Sequence, residues 1–251
     1  MTTHQTVCST PLAGDTHNHT EPKQIQPPPP AVEWRHFSTV DSTSLEALRQ
    51  WQLGRIDTPT VIVATAQTAG RGTYGRQWAS PAGAGLYFTL VIPEPPPLAN
   101  GNYTHLAGIA LAHCLRDQLH LPVCLKPVND LVLPKADGAW GKLGGILTEV
   151  GLSSTGKPVG LRVGVGINLL QAERSLDDRA QLSPISVEEG LQCLKAPLTQ
   201  SVPDIHLLGE VAWQRTLLQA LVGALMGYLF LPEASSPQWV ESRFLALVWP
   251  R

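Results

Sequence analysis

The chain is poor in charge, sulfur and aromatic rings: charged residues make up 15% of its 251 residues and aromatic ones 6%, with two methionines. The formal net charge of -2 supplies no broad attraction to phosphate backbones or anionic membranes. No basic stripe with interleaved aromatics occurs, so nucleic acid is not an expected partner. Cys8, Cys114, Cys124 and Cys193 show no CxxC and no regular spacing. A disulfide framework and a zinc site are therefore not expected, and a reducing compartment is the simpler setting. The N-terminus lacks the basic-then-apolar order of a secretion signal. The most lipophilic run, Thr216 to Leu231, is near the lower length limit for a spanning helix and carries Gln219, two glycines and Tyr228. We read it as a core helix. These absences leave a soluble, cytoplasmic protein whose 43% apolar residues suffice for one substantial core.

What is present begins with a polar arm, residues 1–31, ending in Pro27-Pro28-Pro29-Pro30. It cannot bury enough apolar area to offset the entropy of ordering, so it is read as disordered, with His4, His17 and His19 solvated. Residues 32–251 are read as the folded unit. Ser42 to Trp51 reads as a short helix, with Thr43 and Glu46 at capping-box spacing and Leu45, Leu48 and Trp51 on one side. Strands are expected at Thr60 to Ala66 and Gly85 to Ile92, then an amphipathic helix from Tyr103 to Leu115. Four strands follow: Val123 to Lys126, Leu131 to Leu133, Leu143 to Val150, and Gly160 to Leu169. A polar loop to about Pro203, a helical region from His206 to Leu231 and a last helix at Gln238 to Leu247 complete the chain. The pattern predicts an α+β fold, a mixed sheet covered by helices on one face. The segment Val163 to Leu169 is taken as a sheet edge that could pair two subunits.

The chemistry is concentrated in Gln67-Thr68-Ala69-Gly70-Arg71-Gly72-Thr73-Tyr74-Gly75-Arg76-Gln77-Trp78. Three glycines let backbone N–H groups approach an anion, and Arg71 and Arg76 add guanidinium donors for phosphate or carboxylate. Trp78 offers an aromatic face. GxxxxGK[ST] is absent, and Gly70-x-Gly72-x-x-Gly75 leads to a strand instead of a helix, which excludes a Rossmann fingerprint. The residues alone describe a loop for an anionic ligand.

Asp41-Ser42-Thr43-Ser44 precedes this loop. Lys126-Pro127-Val128-Asn129-Asp130, Gly141-Lys142-Leu143-Gly144-Gly145-Ile146-Leu147-Thr148-Glu149 and Gly164-Val165-Gly166-Ile167-Asn168 follow it in that order. In order and spacing these segments resemble the catalytic core of the biotin protein ligase family, clearly from Phe37 to Leu170 and weakly beyond. The resemblance implies the α+β fold of biotin and lipoate ligases. It also implies an activity: biotin and Mg-ATP form biotinyl-5′-AMP, and biotin then passes to a lysine of the biotin carboxyl carrier protein of acetyl-CoA carboxylase. ATP and Mg2+ are the implied cofactors. By the same resemblance Lys142, Arg71 and Asp130 would be catalytic. Ser42, Thr43, Gln67, Gly70, Arg71, Lys142, Gly145 and Gly164 would bind biotin. Arg76, Trp78, Asn129 and Asn168 would bind the adenylate, and no protein side chain is expected as a resident metal ligand.

The sequence departs from the family pattern in three places. Thr73 stands where the family usually has arginine, followed by Tyr74. The tryptophan of KWPND is missing, and its proline is displaced to Pro127. The sequence ends at Arg251, about where the family's SH3-like barrel begins, so that barrel is expected to be absent. The arm is too short and too rich in proline for a helix-turn-helix, which speaks against a repressor. Two other readings stand beside the ligase: a protein that holds biotin or its adenylate without transferring it, and a lipoate or octanoate ligase on a similar fold.

Overall fold

The computed structural model describes residues 31–98, 102–152, 154, 158–174, 182–193 and 205–249. The polar arm, its histidines and Cys8 lie outside the described residues. Among the described residues the seven strands are β1 (Glu33–Val40), β2 (Thr60–Gln67), β3 (Gly85–Ile92), β4 (Cys124–Lys126), β5 (Asp130–Pro134), β6 (Trp140–Leu152) and β7 (Pro158–Asn168). They form one sheet in the order β1-β2-β3-β7-β6-β5-β4. β1 and β2 are parallel, joined by helix α1 (Thr43–Gln52). Every other pairing is antiparallel. The expected mixed sheet is therefore present.

Alternation along β7 divides the sheet into two faces. Leu161, Val163, Val165 and Ile167 enter the main core with helices α2 (Tyr103–Leu119), α4 (Val211–Leu229) and α5 (Pro237–Leu245). Between them Gly160, Arg162, Gly164, Gly166 and Asn168 turn the other way. α2 is buried nearly all round because it lies between the sheet and α4. Its Leu106, Ile109, Leu111 and Leu115 have no exposed surface, and each contributes about 1.5–3 kcal/mol of apolar burial.

The second face has its own cover. Ala47 and Trp51 of α1 pack with Ile56, Ile62, Val91 and Phe37 into a smaller cluster. Helices thus lie on both faces, which corrects the one-face expectation: Ile62 and Val91 alternate with Val61 and Leu90 of the main core, so both sides of β2 and β3 need covering. β7 is no edge. It lies between β3 and β6, and its backbone is used on both sides, so it cannot pair a second subunit. The edges are β1 and β4.

The helical expectations also need local corrections. α1 turns Thr43, Ser44 and Ala47 inward, with Leu45 and Leu48 only half-buried. Its capping box does not form: Glu46 accepts from Arg49 and Gln50 instead, and the Thr43 hydroxyl bonds elsewhere. The region from His206 is broken, with a 3-10 turn at Ile205–Gly209 and extended backbone at Glu210 before α4 begins. Inside the expected polar loop lies the short helix α3 (Val187–Cys193). Among the described residues the segment after β7 adds helices and two isolated bridges, Pro184 to Lys142 and Val248 to Leu125. No described helix is long and apolar enough to cross a membrane.

Two histidines on α2 make this packing sensitive to acid. His113 Nδ1 lies 2.6 Å from Tyr228 Oη on α4, and His105 stacks on Phe244 of α5 at 4.0 Å. Burial, the largest cause for each, holds both imidazoles below the usual histidine range. The unfolded chain takes up a proton at about pH 6.5 that the folded chain refuses. Stability from this source is complete above that pH and is lost as pH falls through the folded values. The thermal midpoint is therefore expected to drop between pH 7 and pH 5, less so in His113→Gln. A midpoint that stays flat over that range contradicts this account.

Candidate active site

On the second face the sheet forms a trough with a glycine floor. Gly145 of β6 pairs with Gly166 of β7, and Leu147 pairs with Gly164. A Cβ at Gly166 would lie 2.3 Å from Trp78 Nε1, so the indole rests directly on that glycine. A Cβ at Gly164 would meet Leu147 O at 3.5 Å and Thr89 Oγ1 at 3.6 Å, ordinary contacts that leave the floor open. Gly164 and Asn168 are four residues apart on one strand, about 13 Å at 3.3 Å per residue. The trough is long enough for a ligand with two different ends.

One end is built from neutral hydrogen-bonding groups at the start of α1. Arg49 donates to both oxygens of Asp41, at 2.9 and 2.7 Å, and Ser42 N donates to Asp41 Oδ1 at 2.7 Å. The Arg49 guanidinium holds the Asp41 carboxyl down at about 2, so the ion pair fixes this turn at any ordinary pH. Ser42 and Thr43 are buried. Thr43 donates through N at 2.8 Å and through Oγ1 at 3.2 Å to Gln67 Oε1, while Gln67 Nε2 donates to Ser80 Oγ at 2.7 Å. Thr89, whose partner across the sheet is Gly164, donates to Thr43 Oγ1 at 2.9 Å. This network belongs to the Gly164 end of the floor.

A cationic centre occupies the middle. Lys142 lies within β6, and its Nζ is 2.7 Å from Asp130 Oδ1 and 5.4 Å from the centroid of the Trp78 ring. Lys126 Nζ is 3.4 Å from Asp130 Oδ2 across the β4–β5 turn. Asp130 is 7% exposed and shared by two lysines, which leaves one positive charge in excess. Asn129 is tied to β6 through its amide, which donates to Ile146 O at 2.8 Å. At the far end Asn168 is 1% exposed, and its amide donates to Lys142 O at 3.2 Å and to Ile185 O at 3.1 Å.

The glycine-rich loop closes on itself as a tight hairpin over the trough. Gly72 N donates to Arg76 O, Arg76 N to Thr73 O and Trp78 N to Gly70 O. Its tip, Tyr74 and Gly75, has φ of 57° and 71°, a turn that glycine adopts freely and tyrosine does not. Arg76 donates to Thr73 Oγ1 at 2.7 Å and to Thr73 O at 3.1 Å. Arg71 Nη1 lies 3.5 Å from Glu149 Oε1.

Ser42, Thr43, Gln67, Arg71, Arg76, Trp78, Asn129, Asp130, Lys142, Gly145, Gly164 and Asn168 all line this one cleft. Gly70 does not line it. It is buried beneath the loop, where a Cβ would come within 2.4 Å of Trp78 O, so its part is to let the hairpin close. Among the described residues the charged lining residues are Arg71, Arg76, Lys126, Lys142 and Arg174 against Asp130. Five cations to one carboxylate suit a polyanionic ligand. Among the described residues no group of three His, Cys, Asp or Glu could hold a metal ion.

The structure adds residues to which the sequence reading gave no role. Glu149 accepts from Ser44 Oγ at 2.5 Å and pairs with Arg71 and with Arg162, each at 3.5 Å. Glu149 and Arg162 face each other across β6 and β7, a cross-strand charge pair that the register makes visible. Lys126, Ser44 and Arg174 also line the cleft. Lys126 and Ser44 lie inside the quoted motifs, whereas Arg174 lies outside them all.

The model of the biotin/lipoate A/B protein ligase family matches residues 37–168. The bifunctional ligase/repressor BirA of Escherichia coli is 35% identical over 131 residues, 52% of this chain and 38% of that protein. The biotin–[acetyl-CoA-carboxylase] ligase of Mycobacterium tuberculosis is 33% identical over 155 residues, 59% of this chain and 54% of its own length. The matched segment thus spans between about a third and a half of these relatives. Two solved structures share the fold at 22% identity. The biotin protein ligase of Leishmania major, in complex with biotin, has a TM-score of 0.66 over 89% of this chain and 82% of its own. That of Aquifex aeolicus, with biotin and ATP, has 0.61 over 86% and 78%. The family match covers more than half of the sequence and contains the whole glycine floor, the loop and the lysine pair; the chain belongs to the biotin/lipoate A/B protein ligase family.

Proposed function

We propose that this chain activates biotin with Mg-ATP as biotinyl-5′-AMP and passes biotin to a lysine of a biotin carboxyl carrier protein, that of acetyl-CoA carboxylase. The observation that carries this reading is Lys142, held at the midpoint of a trough whose two ends differ in chemistry. The Thr43–Gln67–Ser80 network at one end offers donors and acceptors suited to a neutral ureido ring. Asn168 at the other end suits a nucleoside. The name of the Mycobacterium tuberculosis relative supports biotin as substrate, and the Aquifex aeolicus complex supports biotin and ATP. Buried Cys114, its thiol pushed up to about 11 by burial, is inert and suits a reducing cytoplasm.

A carboxylate is a poor acyl donor until it gains a leaving group. In the first step a biotin carboxylate oxygen bonds to the α-phosphorus of ATP, and the bond from that phosphorus to the bridging oxygen of pyrophosphate breaks. Two anions must approach, so fixed cations are the main requirement. Lys142 supplies one at the junction, with Arg71 and Arg76 above it. Asp130 keeps Lys142 in place while leaving net positive charge at the centre. Mg2+ enters with the nucleotide as part of the substrate. In the second step the acceptor amine bonds to the acyl carbon, AMP leaves with the bonding pair, and a proton is lost from the amine. Asp130 is the carboxylate at the centre that can hold the incoming ammonium. The loop keeps water from the mixed anhydride between the steps.

The test is exchange of labelled pyrophosphate into ATP. Biotin is expected to support it, with lipoate and octanoate ineffective. Exchange with lipoate or octanoate in place of biotin would move the substrate to the other branch of the family. Binding of biotin without exchange would mean a carrier and not an enzyme.

Thr73 gives a further expectation. Its hydroxyl and carbonyl hold Arg76 inside the loop, whereas an arginine there would add a charge toward the adenylate. Biotinyl-5′-AMP is expected to leave or hydrolyse about tenfold more slowly in Thr73→Arg, the order of one charge-assisted hydrogen bond. A release rate unchanged by Thr73→Arg would remove this role from position 73.

A further inference from the structure

Among the described residues, and apart from Asp130 Oδ1, which Lys142 pairs, three buried polar atoms of cleft-lining residues have no hydrogen-bond partner: Trp78 Nε1, Asn168 Oδ1 and Arg174 Nε. Buried polar groups are nearly always paired in folded proteins, so three in one cleft single it out as a site and not as ordinary packing. Asn168 and Trp78 fall within the motifs already discussed. Arg174 does not.

Its guanidinium is held firmly. Nη1 donates to Ala172 O at 3.2 Å, and Nη2 donates to Ala84 O and Leu170 O, both at 3.0 Å. These three partners are neutral carbonyls, the neutral Tyr87 hydroxyl is a further neighbour of the guanidinium, and among the described residues no carboxylate lies within ion-pair distance. The charge is therefore fixed in place and not neutralised. Its location follows from the sheet: Ala84 precedes Gly85, the partner of Asn168, so Arg174 belongs to the Asn168 end of the trough, away from Thr43. An arginine immobilised before the ligand arrives loses little freedom on binding an oxyanion, which is the geometry that phosphate recognition favours.

We infer that Arg174 is a phosphate-attracting residue for the nucleotide, supplying its fixed, uncompensated charge to the phosphates bound in the cleft. The inference rests on the ligase reading, which brings ATP into this cleft. A merely structural Arg174 would tie together the carbonyls of Ala84, Leu170 and Ala172 beside the Tyr87 hydroxyl, and would do nothing for a ligand.

Calorimetry on the full chain separates these roles, with Arg174→Met, Arg174→Lys and Arg174→Gln compared for biotin, Mg-ATP and adenosine, and melting followed in parallel. Arg174→Gln keeps amide donors for the carbonyls if Arg174→Met does not fold. Loss of the charge is expected to weaken Mg-ATP by about tenfold or more, the order of one charge-assisted contact. Biotin and adenosine should stay within roughly twofold, and Arg174→Lys should recover part of the loss. Unchanged Mg-ATP affinity would overturn the inference. So would an equal loss for biotin, which marks a structural brace, or an equal loss for adenosine, which places the contact on the nucleoside. These are binding measurements, so they judge Arg174 even if the wild-type chain makes no adenylate, a result that would count against the ligase reading alone.

Discussion

Lys142→Ala is expected to slow biotinyl-5′-AMP formation by roughly 100- to 1,000-fold, the usual cost of removing one positioned donor from a developing oxyanion. Its Nζ lies 2.7 Å from Asp130 and stands over the Trp78 ring, so both its place and its charge are set before any ligand binds. The loss should fall on the rate of the first step, with biotin affinity changed far less, because the charge it meets is greatest in the transition state. The fold should survive, since Asp130 keeps Lys126 as a partner. Single-turnover measurement of adenylate with labelled ATP separates the two effects. Lys142→Arg keeps the charge but replaces a compact ammonium with a planar fork, and only partial activity is expected. A Lys142→Ala protein as fast as wild type would mean that the cationic centre is not where the chemistry occurs.

Gly166→Val is expected to weaken ligand binding, a loss by a different route. A side chain there starts 2.3 Å from the Trp78 indole nitrogen and 2.5 Å from its Cε2. Either the indole is lifted or the strand moves, and β7 has neighbours on both sides that resist movement. Valine suits a strand, so the protein should fold while the floor rises into the space a ligand needs. Overpacking of this kind costs about 1–3 kcal/mol, and biotin binding is expected to weaken by up to roughly 100-fold. Gly164→Ala, whose Cβ makes only ordinary contacts, is the control and should have a smaller effect. Equal binding by Gly166→Val and wild type, measured by calorimetry, would show that this stretch of the trough is not occupied by biotin.

Much of this site is legible in the sequence because its parts are local. Each motif contributes a short turn or strand segment, and the residues assigned from them, Gly70 apart, line one cleft. Most of the strands are legible for the same reason, being β-branched or apolar runs bounded by turns. β1 is not, since an edge strand reading Glu33-Trp34-Arg35-His36-Phe37-Ser38-Thr39-Val40 is largely exposed and has no apolar run. α3 had a usable signal: Ser186 and Glu189 bond reciprocally, Glu189 N to Ser186 Oγ at 3.1 Å and Ser186 N to Glu189 Oε2 at 2.8 Å. This is the capping box that the sequence reading placed at Thr43. At Thr43 the tertiary partners Gln67 and Thr89 take the hydroxyl, a competition that no local pattern can disclose. Glu149, Arg162 and Arg174 owe their roles to strand register and chain return, which are known only once the sheet is assembled.

The most direct measurement of the central claim is transfer itself. The purified chain is incubated with labelled biotin, Mg-ATP and an apo biotin carboxyl carrier domain. The account predicts label on the carrier lysine, dependent on ATP and lost in Lys142→Ala. Adenylate that forms without any label reaching the carrier would contradict the assignment of transfer to this chain, and no adenylate at all would contradict the account as a whole.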